Sequence, residues 1–215
     1  MSTDLQPQIT NRLGQLARGL TSLGIGRRQV AKEPSKRLMA PWLVVIDPQV
    51  VFAEQDSQWA VPGFGQAMDV IADIAPRFGD RVIVTRWLPG RARVGSWRAY
   101  FRRWQFADRL PTDPMFDLVS AAKPLSPLAS LDLPTFGKWG PAMRMLIGPT
   151  PHLVLTGFST DCCVISTALA AADAGASVKV VSNACAASTT DGHDAALMLM
   201  NQFAPQIKVV ASGQL

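Results

Sequence analysis

Apolar residues in this chain gather in five short runs that alternate with stretches of helical periodicity. Each run is rich in β-branched residues and apolar at nearly every position, which is typical of strands covered on both faces of a parallel sheet. The runs lie at residues 42–47, 81–87, 152–157, 177–182 and 207–211. The stretches between them predict helices at about 63–78, 97–107, 140–147, 161–174 and 190–203, with a further short strand near 133–137.

Strands that alternate with helices predict right-handed crossovers and therefore an α/β fold. We expect three α/β/α layers around a doubly wound, mainly parallel sheet of five or six strands. In such a sheet the ligand crevice lies beyond the carboxyl ends of the strands. Three reactive side chains follow predicted strands, namely Asp47, Lys138 and Cys163. Each has a plainer explanation when taken alone: a turn former, a solvated lysine and a buried core cysteine.

The first part of the chain has a different pattern. Its apolar residues recur at steps of three or four, at Leu5, Ile9, Leu13, Leu16, Leu20 and Leu23. This spacing predicts an amphipathic helix, followed by a basic linker. We therefore divide the chain into a leader at 1–38 and a main domain at 39–215. The leader could contact a partner subunit, an acidic membrane surface or a targeting receptor, but packing against its own domain or a sister subunit is favoured.

Charge and composition narrow the class of protein. The formal net charge is +5, but residues 1–38 hold seven Lys/Arg against two Asp/Glu, and the rest of the chain holds fourteen of each sign. The main domain is therefore neutral and gives no reason to expect nucleic acid. Three cysteines, two of them adjacent, do not form a disulfide framework. With no signal peptide or long apolar run, we expect a cytoplasmic protein without a membrane partner.

The segment around Cys163 carries the strongest chemical signal. Residues 155–169 read as a buried strand, a tight turn and a helix that opens on cysteine. A thiol in the first turn of a helix lies near free backbone N–H groups, which favour the thiolate. The pattern therefore predicts a lowered pKa for Cys163 and a role as nucleophile. Cys162 is expected to be buried on the inner side of the helix, or else to be a redox partner, and Cys185 is expected to serve packing.

Three separated motifs give the chain a family resemblance. They are V-V-I-D-P-Q-V-V-F at 44–52, F-G-K-W at 136–139 and T-G-F-S-T-D-C-C-V-I-S-T-A-L-A-A-A-D-A-G at 156–175. In this order and spacing the chain resembles the isochorismatase-like cysteine hydrolases, which include nicotinamidases and N-carbamoylsarcosine amidase. The resemblance extends through V-V-S-N-A-C-A-A-S at 180–188 and covers about residues 40–212. It implies a Rossmann-like sheet.

The resemblance also implies a mechanism. Asp47, Lys138 and Cys163 would form a catalytic triad in which Asp47 accepts the thiol proton and Lys138 stabilises the anions. A cis peptide would join Phe158 to Ser159 and aim the Ser159 N–H, beside that of Cys163, into an oxyanion hole. The expected activity is hydrolysis of a C–N bond in a small amide, ureido or carbamoyl compound through a thioester. We also expect a homo-oligomer.

One departure from the family concerns a metal site. Some members hold a metal with histidines shortly after the first motif, but this chain has no histidine before His152, and its only other histidine is His193. We therefore predict no metal and no cofactor. Aromatic residues close to the motifs are predicted to bind substrate, and they favour a small planar or aromatic amide. These residues are Phe52, Trp87, Trp139 and Phe158.

The stretch from Arg86 to Arg109 interleaves seven arginines with aromatic residues. It could line a nucleic-acid surface or an anion-binding or aryl-binding wall. Because Trp97, Phe101 and Trp104 fall on one helical face, ordinary packing with solvated or paired arginines is favoured.

Two alternative functions remain open. One is hydrolysis of an isochorismate-like vinyl ether, which uses the aspartate as an acid and needs no thiol. The other is a non-catalytic binding or scaffold protein that kept the fold. A nucleotide-binding domain is disfavoured because the chain lacks both glycine-rich phosphate motifs.

Overall fold

The computed structural model of this protein describes residues 40–90, 92–149 and 151–215. The predicted leader helix and basic linker lie outside the described residues. Within the described part of the chain, none of the helices has the length and apolarity needed to cross a membrane.

Six parallel strands form one sheet in the order β3-β2-β1-β4-β5-β6. The strands are β1 Trp42–Ile46, β2 Val82–Trp87, β3 Leu131–Leu133, β4 His152–Phe158, β5 Ser177–Ala186 and β6 Ile207–Val210. The predicted α/β/α class is thus confirmed. Because the chain builds outward from β1 to β3 and then returns to β4 on the other side of β1, the order reverses between β1 and β4. That reversal is where an open parallel sheet forms its ligand crevice.

Six α-helices accompany the sheet in the described residues. They are α1 Val50–Ala53, α2 Phe64–Ile74, α3 Trp97–Arg103, α4 Pro141–Ile147, α5 Ile165–Asp173 and α6 Thr190–Asn201. Two differences from the predicted elements concern the site. The weak strand lies at Leu131–Leu133 rather than near 133–137, and the helix predicted from 161 begins with a π-helical turn, Thr160–Val164, before α5.

Alternate residues of β1 explain why the strands are apolar at every position. Leu43 and Val45 face one core, which they share with α2, whereas Val44 and Ile46 face a second core, which they share with α5. All four side chains are fully buried. Burial on both faces therefore leaves no room for the polar alternation of a half-exposed strand.

Gly157, near the end of β4, lets this strand approach the end of β1. Its φ of +107° is in the left-handed region, and a Cβ there would overlap the backbone O of Ile46 and lie 2.6 Å from the Ile46 N. The pairing of β4 with β5 also shifts register between Leu155 and Gly157. Only glycine fits here, because both the backbone angle and the space exclude a side chain.

We predict that Gly157→Ala destabilises the protein by about 3 kcal/mol or more, because strain and overlap add at one position. For a chain of this size, that loss lowers the Tm by about 6–12 °C. Gly65→Ala is the matched control, because Gly65 lies in α2 and no atom lies within 4 Å of the position that an added Cβ would take. We expect the control to stabilise the helix by up to about 1 kcal/mol. Thermal unfolding of both variants checks this, and equal Tm values would contradict the close approach.

Candidate active site

The three reactive side chains predicted from the strand ends meet in one buried place. Asp47 directly follows β1, Cys163 lies in the turn that follows β4, and Lys138 lies in the loop between β3 and α4. Asp47 and Lys138 are completely buried and Cys163 is 4% exposed. The Lys138 Nζ lies 3.0 Å from the Asp47 Oδ2. The charges of both residues act on the Cys163 thiol, which places all three groups at the sheet's reversal point.

Asp47 is fixed by its backbone and by a threonine on the neighbouring strand. Its φ of +48° is uncommon for a residue with a side chain, and aspartate is among the few that tolerate it. The Thr85 hydroxyl donates to Asp47 Oδ1 at 2.7 Å, and the Asp47 backbone N–H donates to the Thr85 Oγ1 at 3.2 Å. Apart from the ion contact with Lys138, Oδ2 has no hydrogen-bond partner among the described residues. This oxygen therefore keeps the capacity to accept a proton.

Lys138 is held from three directions. Its Nζ donates to the Thr135 backbone O at 2.8 Å in addition to the Asp47 contact. Its backbone N–H donates to the Thr167 Oγ1 at 2.9 Å, and the Thr167 hydroxyl donates to the Cys163 backbone O at 2.7 Å. Thr167 thus connects the lysine loop to the cysteine turn. Sequence reasoning missed both Thr85 and Thr167, although a polar residue inside an apolar run was a usable signal for Thr85.

The environment of Cys163 overturns the prediction of a lowered pKa. The contact with the Cys162 thiol, burial and the Asp47 carboxylate each raise the pKa of Cys163, and only Lys138 lowers it. The resulting pKa lies well above that of an ordinary cysteine, so the thiol stays protonated at neutral pH. The prediction from the helix terminus failed because the thiol is buried beside a carboxylate. Burial and the carboxylate charge raise the pKa by more than the backbone dipoles lower it.

Cys162 agrees only in part with its prediction. It packs against the core on the α5 side of the sheet, but it is only partly buried and also lines the same cavity as Cys163. Its contact with the Cys163 thiol lowers the pKa of Cys162. Cys185 is buried, and burial raises its pKa to about 12. The packing role predicted for Cys185 therefore agrees with its position.

Ser159 and Cys163 lie at the same end of the cavity. The peptide bond between Phe158 and Ser159 is cis. The Ser159 hydroxyl donates to Asp161 Oδ1 at 2.6 Å, and the other carboxylate oxygen of Asp161 lies 2.7 Å from where a Cβ on Gly192 would stand. The start of α6 therefore packs tightly against Asp161, which in turn fixes the Ser159 side chain.

A cavity of about 240 Å³ opens above the Cys163 thiol. Six of its thirteen lining residues are aromatic. The lining residues are Phe52, Gln58, Trp59, Val61, Trp87, Tyr100, Trp104, Phe136, Ser159, Asp161, Cys162, Cys163 and Ser188. Phe52 and Trp87 lie in this wall, as expected from the sequence.

Trp139 and Phe158, the other two residues predicted to bind substrate, are not part of the cavity wall. Trp139 packs against the core on the α5 side of the sheet, next to Lys138 in sequence but directed away from the cavity. Phe158 is fully buried and stacks on Phe64, with ring centroids 4.1 Å apart. Nearness in sequence to a motif therefore did not place either side chain in the cavity wall, and their role in binding substrate stays a prediction.

Trp59 is the aromatic residue that sequence reasoning missed most clearly. It lies in the loop between α1 and α2, where no periodicity marks it, and its ring centroid is 5.3 Å from Trp87, 6.0 Å from Tyr100 and 6.0 Å from Trp104. Tyr100 and Trp104 also line the cavity, although the sequence favoured ordinary packing for the helix that carries them. In that helix, Phe101 is the one residue that is buried in the core.

The described arginines between Arg86 and Arg109 are not among the residues that line the cavity. Arg86 pairs with Asp132 at 2.6 Å and Arg93 pairs with Asp108 at 2.6 Å. The other described arginines of this stretch are exposed, and no lysine, arginine or histidine is among the lining residues. Arg91 lies outside the described residues. The stretch therefore divides into an aromatic inner wall and a basic outer surface.

The donor set does not fit the metal that some relatives of this kind hold. In the described part of the chain, no group of three or more His, Cys, Asp or Glu side chains is arranged to hold a metal ion. The loop after β1 offers Gln58 and Trp59 to the cavity, and no histidine. The absence of a metal from the reaction stays a prediction.

Comparisons with known proteins agree with this fold. The profile of the isochorismatase domain matches residues 41–210. An isochorismatase family protein from Desulfovibrio vulgaris is 23% identical, with a TM-score of 0.68 over 81% of this chain and 95% of that one. A cysteine hydrolase from Pseudomonas syringae is 17% identical, with a TM-score of 0.66, and the match covers 82% of this chain and 91% of that one. Nicotinamidase from Bacillus subtilis is 17% identical, with a TM-score of 0.61, and the match covers 80% of this chain and 99% of that one. No curated protein sequence matches this chain significantly.

The fold is therefore a three-layer α/β/α arrangement whose reactive groups lie beyond the ends of parallel strands. Because the domain profile covers most of its length, the chain belongs to the isochorismatase family, and the resemblance drawn from the three motifs is confirmed.

We predict that Lys138→Met destabilises the protein by about 3–5 kcal/mol, because it leaves the Asp47 carboxylate buried without a counter-ion. The double variant Asp47→Asn/Lys138→Met removes both charges, so it should recover a large part of this loss. Urea unfolding of the single and double variants measures the coupling. Arg77→Met is the surface control, since the Arg77–Asp73 pair at 3.3 Å is largely exposed and should cost less than about 1 kcal/mol. Additive losses in the buried pair would contradict its assignment as a coupled ion pair.

We also predict that Cys163 forms its thiolate only above the pH at which an ordinary cysteine ionises, about 8.5. A raised pKa keeps the proton on sulfur through neutral pH and releases it on further alkalinisation. The variant Cys162→Ser/Cys185→Ser leaves Cys163 as the one thiol, and burial and Asp47 still raise its pKa. The thiolate's ultraviolet absorbance, followed against pH and corrected with the cysteine-free variant, gives the titration. A midpoint at or below that of free cysteine would contradict the prediction.

Proposed function

We propose that this protein hydrolyses a C–N bond in a small amide, ureido or carbamoyl compound through a thioester on Cys163. One observation carries the proposal: a fully buried ion pair between Asp47 and Lys138 adjoins a thiol at the floor of a cavity. Burying two charges is costly, and apolar residues of similar size would serve packing at least as well. A carboxylate with an oxygen free to accept a proton, next to a protonated nucleophile, has a clear chemical use.

The raised pKa of Cys163 determines how the first step would run. Because the thiol is protonated at rest, its proton passes to Asp47 Oδ2 as the sulfur attacks the substrate carbonyl. Proton transfer to a positioned side chain typically accelerates a reaction by about 10²–10⁴-fold. Lys138 stabilises the negative charge that the sulfur gains before the new C–S bond is complete.

The attack creates an oxyanion on the former carbonyl oxygen. The backbone N–H groups of Ser159 and Cys163 are the proposed donors to it, and both residues line the cavity. One such donor contributes about 3 kcal/mol of transition-state stabilisation. The Ser159–Asp161 hydrogen bond and the tight packing of Asp161 against α6 support this arrangement because they limit the movement of the turn.

Collapse of the tetrahedral intermediate would break the C–N bond. Asp47 returns its proton to the leaving nitrogen, which departs as ammonia or an amine, and the acyl group remains on sulfur. Water then enters, Asp47 takes its proton, and the hydroxyl adds to the thioester carbonyl. Cleavage of the C–S bond releases the carboxylic acid, and the proton held by Asp47 returns to the sulfur.

One structural neighbour favours a nitrogen leaving group, and another favours a cysteine nucleophile. The Bacillus subtilis protein that shares this fold is a nicotinamidase, and the Pseudomonas syringae protein is a cysteine hydrolase. The family name itself points to a second candidate, cleavage of a vinyl ether with Asp47 as the acid. A buried thiol beside the carboxylate favours the amide reaction, because the vinyl-ether reaction has no use for it.

Ammonia release from a panel of small amides, ureas and carbamoyl compounds tests the proposal. We expect turnover with at least one of these compounds and a loss of about 10³-fold or more in kcat/KM for Cys163→Ala, which removes the nucleophile. Cys185→Ala is the matched control, because this buried cysteine lies outside the proposed machinery. It should stay within a few fold of wild type.

Mass spectrometry of the quenched reaction adds a direct readout. The acyl group should appear on the peptide that contains Cys163 and be absent from the Cys163→Ala protein. Full turnover by Cys163→Ala would overturn the thioester mechanism. Pyruvate release from an isochorismate-like vinyl ether by that same variant would establish the second candidate instead.

A further inference from the structure

The residues that line the cavity favour a positively charged group over a negatively charged one. Asp161 is the one charged residue among the lining residues of this cavity, and it is an exposed residue. Six of the thirteen lining residues are aromatic: Phe52, Trp59, Trp87, Tyr100, Trp104 and Phe136. We propose that the acyl part of the substrate carries a compact alkylammonium group, such as a trimethylammonium, which this aromatic wall encloses. The proposal rests on the proposed function and specifies its substrate class.

Phe52 lies nearly parallel to Trp59, at 15° with ring centroids 6.1 Å apart, but the other lining rings near Trp59 stand at an angle to it and form a corner. Trp59 meets Trp87 at 79° and Trp104 at 69°, and its ring is tilted by 43° from that of Tyr100. Rings at steep angles to one another enclose a rounded space. A tetrahedral ammonium group fills such a space, and it can contact several ring faces at once. A planar substrate would instead need two parallel walls.

The electrostatics of the wall favour a cation over an anion. The face of each aromatic ring carries partial negative charge, and a cation within about 6 Å of the ring is attracted by about 0.5–2 kcal/mol, depending on its exposure. Arg103 already shows this preference, because its guanidinium lies over the Trp104 ring, 5.3 Å from the ring centroid. Arg103 itself is not among the residues that line the cavity. With no lysine, arginine or histidine in the lining, a substrate carboxylate would lack a partner there.

The floor of the cavity adds no net charge that would repel a cation. The Asp47 and Lys138 charges offset each other at 3.0 Å, and the Cys163 thiol is neutral at neutral pH. A substrate amide at the thiol and a cation in the aromatic corner would lie only a few bonds apart, because the cavity holds about 240 Å³. This volume is at the small end of ligand cavities.

Four amides form the test series. 3-(Trimethylammonio)propanamide and 4,4-dimethylpentanamide have the same shape and differ in charge, benzamide is planar and neutral, and succinamate is anionic. Ammonia release by the wild-type protein gives kcat/KM for each amide. Calorimetric titration of the Cys163→Ala protein gives binding without turnover. We expect the cationic amide to exceed its neutral isostere by about 5–30-fold in both measurements. Succinamate should be the weakest.

The outcomes separate this inference from the proposed function. If the neutral isostere or benzamide equals or exceeds the cationic amide while ammonia is released, the inference is overturned and the hydrolase stands. If the Cys163→Ala protein prefers the cationic amide but wild type releases no ammonia from any compound, the proposed function fails and the cation site stands. No turnover together with no binding preference overturns both.

Paired substitutions test whether the rings themselves select the cation. Tyr100→Phe and Trp104→Phe keep an aromatic face, whereas Tyr100→Leu and Trp104→Leu remove it. We expect the preference for the cationic amide over its neutral isostere to persist in the phenylalanine variants and to fall towards unity in the leucine variants. Because the measured quantity is a ratio of two ligands on one protein, a general loss of stability or of active fraction cancels. Equal ratios in all four variants would overturn the aromatic wall as the selective element.

Discussion

The buried ion pair between Asp47 and Lys138 is the interaction on which the site depends. Removing two charges from water costs several kcal/mol for each ion, so the pair persists only with close geometry and additional hydrogen bonds. Thr85 and Thr135 supply these bonds to the two charged groups. The pair also joins the end of the central strand to the loop after an edge strand. The costly burial of charge, the hydrogen bonds that offset it and the link between two parts of the sheet therefore all occur at this ion pair.

The state of the thiol follows from that pair. A carboxylate close to sulfur disfavours a second negative charge, and burial adds to the effect, so both raise the pKa of Cys163 above that of an ordinary cysteine. A protonated resting thiol is less prone to oxidation and to adventitious alkylation than a standing thiolate. The partly exposed Cys162 lacks this protection, because its pKa is lowered rather than raised.

Sequence patterns predicted the parts of this structure that follow from local periodicity and chain order. Strands buried on both faces, and the placement of Asp47, Lys138 and Cys163 beyond strand ends, could all be inferred in this way. The cavity wall could not, because the direction of a side chain in a loop depends on tertiary packing: Trp139 turns into the core, while Trp59, from an unremarked loop, reaches the cavity. The pKa of Cys163 was mispredicted because a single sequence segment shows neither the burial of the thiol nor the nearby Asp47 carboxylate, which lies far away in sequence.

The reactive floor and the aromatic wall come from different parts of the chain. The floor is built at the ends of strands and is fixed by the sheet, whereas much of the wall comes from residues 52–61 and 97–104, which lie outside it. The residues proposed to select the substrate and those proposed to react with it consequently lie in different segments of the chain. Such a division lets natural drift or deliberate segment exchange diversify the compounds accepted while the bond-breaking apparatus is inherited intact.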